Sequence, residues 1–212
     1  LRWIHRIQRI RRWIHPKQGV LPAGAFLSIA EETGLVVSLG RWVLDQAAMQ
    51  AAVWIAEGYD IVMRVNVSSR QLRNALVGEV HGALAAANLP AHRLCLELTE
   101  TTIMDDVDGS AQVLLQLREM GVKIAIDDFG TGYSSLPSLK RLPLDILKID
   151  RAIVAGVGVD PDNTDIVRSI VGLAEILDLD VVAEGIEEES QIAELVRLGC
   201  LRGQGFHTGK PA

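Results

Sequence analysis

Apolar positions along the chain follow two alternating rhythms. Short β-branched runs predict strands over Ile10–His15, Ile61–Val67, Arg93–Leu98, Val122–Asp127, Ile146–Asp150, Asp180–Glu184 and Leu201–Phe206. Longer stretches with helical spacing fall between them. Ser38 is placed to cap a helix from about Gly40 to Glu57, and Asp108 to cap one that ends before Gly121. Pro161 suits the first turn of a helix reaching about Leu177, and Gly199 follows a helix from about Glu188 to Leu198.

Repeated strand–helix units imply a parallel sheet with helices packed outside, either open and doubly wound or closed into a barrel. The strand ends favour the barrel. One strand after another finishes on a polar residue: Asn66, Glu97, Asp127, Asp150, Glu184 and Gln204. In an open sheet such residues gather near one switch point, whereas in a barrel every strand end meets at a single mouth. The expected fold is therefore a TIM-like (β/α)8 barrel. Seven strands are one short of eight, so the first strand is expected upstream of residue 1 or missing. No low-complexity segment or linker divides residues 1–212, which read as a single domain, N-terminally incomplete and excised from a longer protein.

Side-chain parity gathers these groups. Lys148 and Asp150 share a strand face, Glu97 shares one with Cys95, Asp127 with Ala125, and Glu184 with Val182. Asn66, Glu97, Asp127, Asp128, Asp150 and Glu184 together offer five carboxylates and one amide oxygen. Such a set repels itself unless divalent cations are bound, and all-oxygen donors select Mg²⁺ or Mn²⁺ over zinc. Adjacent Asp127 and Asp128 suit two ions, an arrangement that serves phosphodiester hydrolysis. Lys148 is placed to orient water or offset phosphate charge, or else to pair with Asp150. Asp127 is equally placed to cap a helix. The glycine-bearing stretch 129–135 suits a mobile flap and matches no nucleotide-loop fingerprint.

Composition narrows the partners. A net charge of -6 argues against nucleic acid polymers, and no apolar run approaches the ~20 residues of a membrane span. The basic start, LRWIHRIQRIRRW, lacks the apolar core of a signal peptide. Two isolated cysteines, Cys95 and Cys200, suit a reducing cytosol and packing roles, and the five histidines show no metal-ligand spacing.

The strings AEETGLV (30–36), VNVSSRQL (65–72), LELTET (96–101), IDDFGTGYSSL (126–136), LPLDILKIDR (142–151), VVAEGIE (181–187) and GCLRGQGF (199–206) resemble the EAL-domain family in order and spacing, over nearly the whole chain from Arg12 onward. The resemblance implies a bacterial second-messenger phosphodiesterase, cytoplasmic, that cleaves cyclic di-GMP to linear pGpG with Mg²⁺ or Mn²⁺. It implies that Asn66, Glu97 and Asp127 hold one ion and Asp127, Asp128 and Glu184 the second. Lys148 then corresponds to the lysine near the attacking water, with Asp128 and Glu184 beside it in catalysis. Arg12, Asp150 and Gln204 correspond to substrate-binding positions, and Glu100 to the anchor of the loop after DDFG. A homodimer and an upstream sensor or GGDEF module are also implied.

One position departs from the family pattern. Aligned on Arg12-Trp13-Ile14-His15-Pro16, the signature Glu falls on Gln8 and its Leu on Ile10. Glutamine keeps one carbonyl oxygen and removes a charge, giving a weak or degenerate ligand. That substitution supports an alternative, a receptor that binds cyclic di-GMP without hydrolysing it. Arg2-Trp3-Ile4-His5 repeats Arg12-Trp13-Ile14-His15, and if the first copy follows the true signature, its Glu lies upstream of Leu1.

Overall fold

The computed structural model describes residues 2–3, 12–17, 19–130 and 136–207. Contacts group the chain into two compact units. One comprises Leu1–Ile7, Thr99–Met104 and Ile124–Ala212, and the other Gln8–Leu98 and Asp105–Lys123.

The second of these units opens on an antiparallel hairpin of β1 (Arg12–His15) and β2 (Gly19–Pro22), with His15 opposite Gly19. The sequence predicted Arg12–His15 as the end of a parallel barrel strand, and the hairpin corrects that. Pro16 has no N–H to give a ladder, and Gly19 adopts φ 71°, so the chain reverses here. A short helix α1 (Leu27–Glu32) leads into α2 (Leu35–Ala56). Helix α2 starts at Leu35, five residues before the expected start, with Gly34 before it in a left-handed conformation, and Ser38 lies inside it rather than capping it. Its inner face buries Val36, Leu44, Ala47, Ala48 and Ala51 against β3 (Met63–Asn66) and α3 (Asn74–Ala87). Strand β3 pairs in parallel with β4 (Leu94–Thr99). Residues Leu94 to Leu98 of β4 are all buried, as expected of a parallel strand covered on both faces. Helix α4 (Val107–Glu119) packs on α3 and is capped by Asp106, whose carboxylate accepts from the Gly109 N–H at 3.0 Å. The cap therefore sits two residues before Asp108.

The other unit holds a wholly parallel set of strands. In spatial order they are β8 (Arg2–Trp3), β9 (Arg202–Gly203), β7 (Asp180–Ala183), β6 (Ile146–Ile149) and β5 (Lys123–Phe129). The two-residue strand beside β9 was not expected from the sequence. Between Thr99 and β5 in this unit lies the short helix α5 (Glu100–Met104). Helices α6 (Leu136–Arg141) and α7 (Arg151–Val154) flank β6. Helix α8 (Pro161–Leu177) runs as the sequence predicts, with Asp160 accepting from the Asp162 N–H. Helix α9 (Glu189–Arg197) follows β7 and opens with a capping box between Glu188 and Gln191. The core between strands and helices is built from Ile124, Ile126, Leu147, Ile149, Val167, Ala174, Val182 and Leu195. No helix among the described residues is long and apolar enough to cross a membrane.

Candidate metal centre

The acids of the 124–207 unit meet because β5 carries one extra residue. Ile126 pairs with Leu147 and Phe129 with Ile149, so Asp127 and Asp128 together oppose the single residue Lys148. Adjacent residues of a regular strand point to opposite faces, and the bulge removes that constraint. Asp128 takes a left-handed conformation, φ 55°, which Asp tolerates better than most residues. Its N–H is taken by the Asp127 carboxylate at 3.1 Å. Carboxylate oxygens of Asp127, Asp128 and Glu184 all lie within 4.8 Å of one another.

Lys148 stands among them with 0% exposure. Its Nζ donates to Asp127 Oδ1 at 2.8 Å and forms an ion pair with Glu184 Oε1. The sequence offered Asp150 as an alternative partner for this lysine, and the structure pairs the lysine with Asp127 and Glu184. Asp127 does not cap a helix. That task falls to Asp150, which accepts from the Ala152 N–H at 2.7 Å at the start of α7. Gln204 donates from Nε2 to Glu184 Oε1, so the glutamate is held from both β6 and the segment after β9. Gly205 permits this approach: a Cβ there would lie 2.0 Å from the Ile186 carbonyl oxygen. The same passing chains are joined by the Ile186 N–H donating to the Gln204 carbonyl at 3.1 Å.

Burial at the strand end raises the Asp128 carboxyl above the usual aspartate range, and the neighbouring Asp127 and Asp150 add to the shift. Lys148 opposes it. Three acids served by one buried ammonium leave an excess of negative charge, and hard oxygen donors this close together suit a divalent ion. The donor set therefore fits a hard divalent cation. Glu100, buried in α5, accepts from the Gly130 N–H at 3.4 Å and ties the residue after the DDF run to α5.

The unit containing residues 8–98 has its own polar group. Glu97 is 2% exposed, and its carboxylate receives Asn66 Nδ2 at 3.3 Å and Arg64 Nη1 at 3.1 Å. Register places Asn66 directly opposite Glu97. Sequence reasoning singled out Asn66 and Glu97 and missed Arg64, although its place two residues before Asn66 puts it on the same strand face. Gln8 lies outside the described residues, and Arg12 is described only as a backbone position in β1. Cys95 and Cys200 are buried and unbridged, and burial pushes the Cys200 thiol up.

Comparison with known proteins agrees with the motifs. The chain is 48% identical over 207 residues to the bifunctional diguanylate cyclase/cyclic di-GMP phosphodiesterase MucR of Pseudomonas aeruginosa, covering 97% of this chain and 30% of that protein. It is 36% identical over 209 residues to the cyclic di-GMP phosphodiesterase PdeR of Escherichia coli, covering 98% of this chain and 32% of that protein. The chain thus spans about a third of the length of these relatives. Among solved structures, the PaMucR phosphodiesterase in complex with c-di-GMP superposes with a TM-score of 0.90 at 49% identity, over 94% of this chain and 82% of that one. The fold is accordingly the TIM-like α/β fold of that structure. The EAL domain profile matches residues 4–211, and the chain belongs to the EAL domain family.

Proposed function

We propose that this chain is a cyclic di-GMP phosphodiesterase domain, opening the cyclic dinucleotide to linear pGpG with Mg²⁺ or Mn²⁺. The observation that carries the reading is the Asp127–Asp128–Glu184 cluster around buried Lys148. It is supported by relatives of the same family that are named as cyclic di-GMP phosphodiesterases.

In this reading Asp127, Asp128 and Glu184 hold one ion, and Asn66 and Glu97 contribute to a second, with Gln8 as a weak ligand. Bound metal supplies charge neutralisation for the phosphodiester and acidifies water. The chain's own residues do the rest. Lys148, fixed by two carboxylates, presents an ammonium that holds a water or a phosphate oxygen in line with the scissile bond. Gln204 fixes the rotamer of Glu184 and so the direction of its free lone pairs. Arg12 and Asp150 contact substrate, and Asp150 is steadied for this by its bond to the N-terminus of α7. Glu100 restrains the entrance to the glycine-bearing loop through Gly130. The domain works in the cytoplasm as a homodimer, as one module of a longer signalling protein with a sensor or GGDEF module upstream.

Gln8 in the signature position favours a second reading, a receptor that binds cyclic di-GMP without cutting it. One assay separates the two: purified protein with Mn²⁺ and cyclic di-GMP, product followed by chromatography. Accumulating pGpG supports the enzyme. Measurable binding with no pGpG removes it in favour of the receptor.

A further inference from the structure

Arg64 belongs to none of the motifs that carry the family resemblance and has no task in the reading above. Yet it is committed to one of the acids that reading depends on. Its guanidinium donates to Glu97 Oε1 at 3.1 Å, with side chains 16% and 2% exposed. Asn66 donates to the other oxygen, Oε2, at 3.3 Å. The Glu97 carboxylate is therefore bracketed by two residues of β3 spaced i and i+2, which share one strand face. Register puts Arg64 opposite Cys95, two pairs short of Glu97 and on the same face, and the length of the arginine side chain covers that step.

The two donors differ in kind. The Asn66 amide is neutral, and with its NH₂ turned to Glu97 its other head atom is a carbonyl oxygen, a donor for a hard cation. The guanidinium is permanently charged. A carboxylate removed from water needs a partner, and Arg64 supplies one inside the fold. A divalent ion at the same carboxylate sits close to that charge and is repelled by it. Groups behind a metal ligand that strengthen binding do so by raising ligand basicity. A cationic donor lowers it.

We propose that Arg64 is a positioning residue that acts as a built-in counter-cation for Glu97. It keeps the carboxylate ordered and neutralised when no metal is bound, and it weakens the hold of the Asn66–Glu97 pair on a divalent ion. This rests on the reading of Glu97 as a metal ligand. Combined with Gln8, which brings no charge to the donor set, it makes this ion the weakly held one. Occupancy then follows the free Mn²⁺ or Mg²⁺ concentration instead of being permanent.

The test is calorimetric titration of the intact 212-residue chain with Mn²⁺, comparing wild type, Arg64→Gln, Arg64→Lys and Glu97→Gln. Arg64→Gln keeps a neutral donor and is expected to tighten one Mn²⁺ site by ~10-fold, the scale on which groups behind a ligand shift metal affinity. Arg64→Lys keeps the charge and is expected to bind as the wild type does. Glu97→Gln is expected to weaken binding, and in the Arg64→Gln background to erase the gain. The Mn²⁺-dependent rise in melting temperature provides a second measurement and is expected to be larger in Arg64→Gln than in wild type. If Arg64→Gln binds no tighter while Glu97→Gln still weakens binding, the counter-cation role is overturned and the ligand reading stands. Equal tightening in Arg64→Lys also overturns it. If Glu97→Gln binds Mn²⁺ as wild type does, the ligand reading itself falls.

Discussion

Replacing Lys148 by methionine removes the buried cation and keeps most of the side-chain volume. Its ammonium holds Asp127 at 2.8 Å and pairs with Glu184, and the side chains of the three are 0%, 7% and 11% exposed. Without it the two carboxylates face each other and Asp128 with no compensating charge at that point. Removing one partner of a buried ion pair costs about 3–5 kcal/mol. In a domain of this size each kcal/mol moves the melting temperature by roughly 2–4 °C, so a fall on the order of 10 °C is expected in chelator. A divalent ion stabilises only the folded state, by about 2.7 kcal/mol at a hundred times its dissociation constant, and it can replace the lost charge. Mn²⁺ should therefore narrow the gap between variant and wild type, while pGpG formation stays abolished. Melting curves in chelator and in Mn²⁺, with chromatography of the product, measure all of this. A variant that melts within about 2 °C of wild type in chelator, or a gap that widens with Mn²⁺, would refute the electrostatic reasoning.

Three further outcomes follow from individual residues. Asp128→Asn should raise the melting temperature of the metal-free chain at neutral pH and reduce its response to Mn²⁺. The Asp128 carboxyl is raised in the fold, so its contribution is favourable while protonated, below the unfolded value, and is lost as pH rises through the folded value. The difference between variant and wild type should accordingly vanish in acid, and a constant difference at every pH would contradict the assignment. Asp160→Ala removes the cap of α8 and should cost ~1 kcal/mol in urea unfolding with turnover per folded molecule unchanged. Gly205→Ala sets a methyl against the Ile186 backbone and should cost ~1–3 kcal/mol while lowering activity, because Gln204 is displaced from Glu184. Preserved activity would show that this contact is dispensable.

Most of the strand pattern was legible because β-branched runs alternate with helical stretches, and because parallel strands bury both faces. Strand β4 and helix α8 fall where the sequence places them, the latter because Pro161 and Asp160 mark its start unambiguously. The hairpin of Arg12–His15 was hidden, since the same apolar residues serve parallel and antiparallel pairing and only the turn at 16–19 distinguishes them. The caps at Ser38 and Asp108 were misplaced because several residues of suitable type stand close together, and geometry chooses among them. Carboxylates at strand ends could be counted from the sequence. The partner of Lys148 could not, because strict alternation says nothing of a bulge at Asp127–Asp128. Arg64 was overlooked for a related reason: a lone arginine in a strand reads as solvent-facing until its neighbour proves to be a buried acid.

The extra residue in β5 has a consequence for anyone who would move this centre to another scaffold. Copying the side chains onto an unbroken strand would send one aspartate inward and the other outward, and no rotamer could bring them back together. The irregularity itself has to be transplanted, including a left-handed residue whose strain of about 1–3 kcal/mol the host must absorb. A single deletion between Ile126 and Phe129 would restore perfect pleating and dismantle the chemistry, so here regularity and function are alternatives.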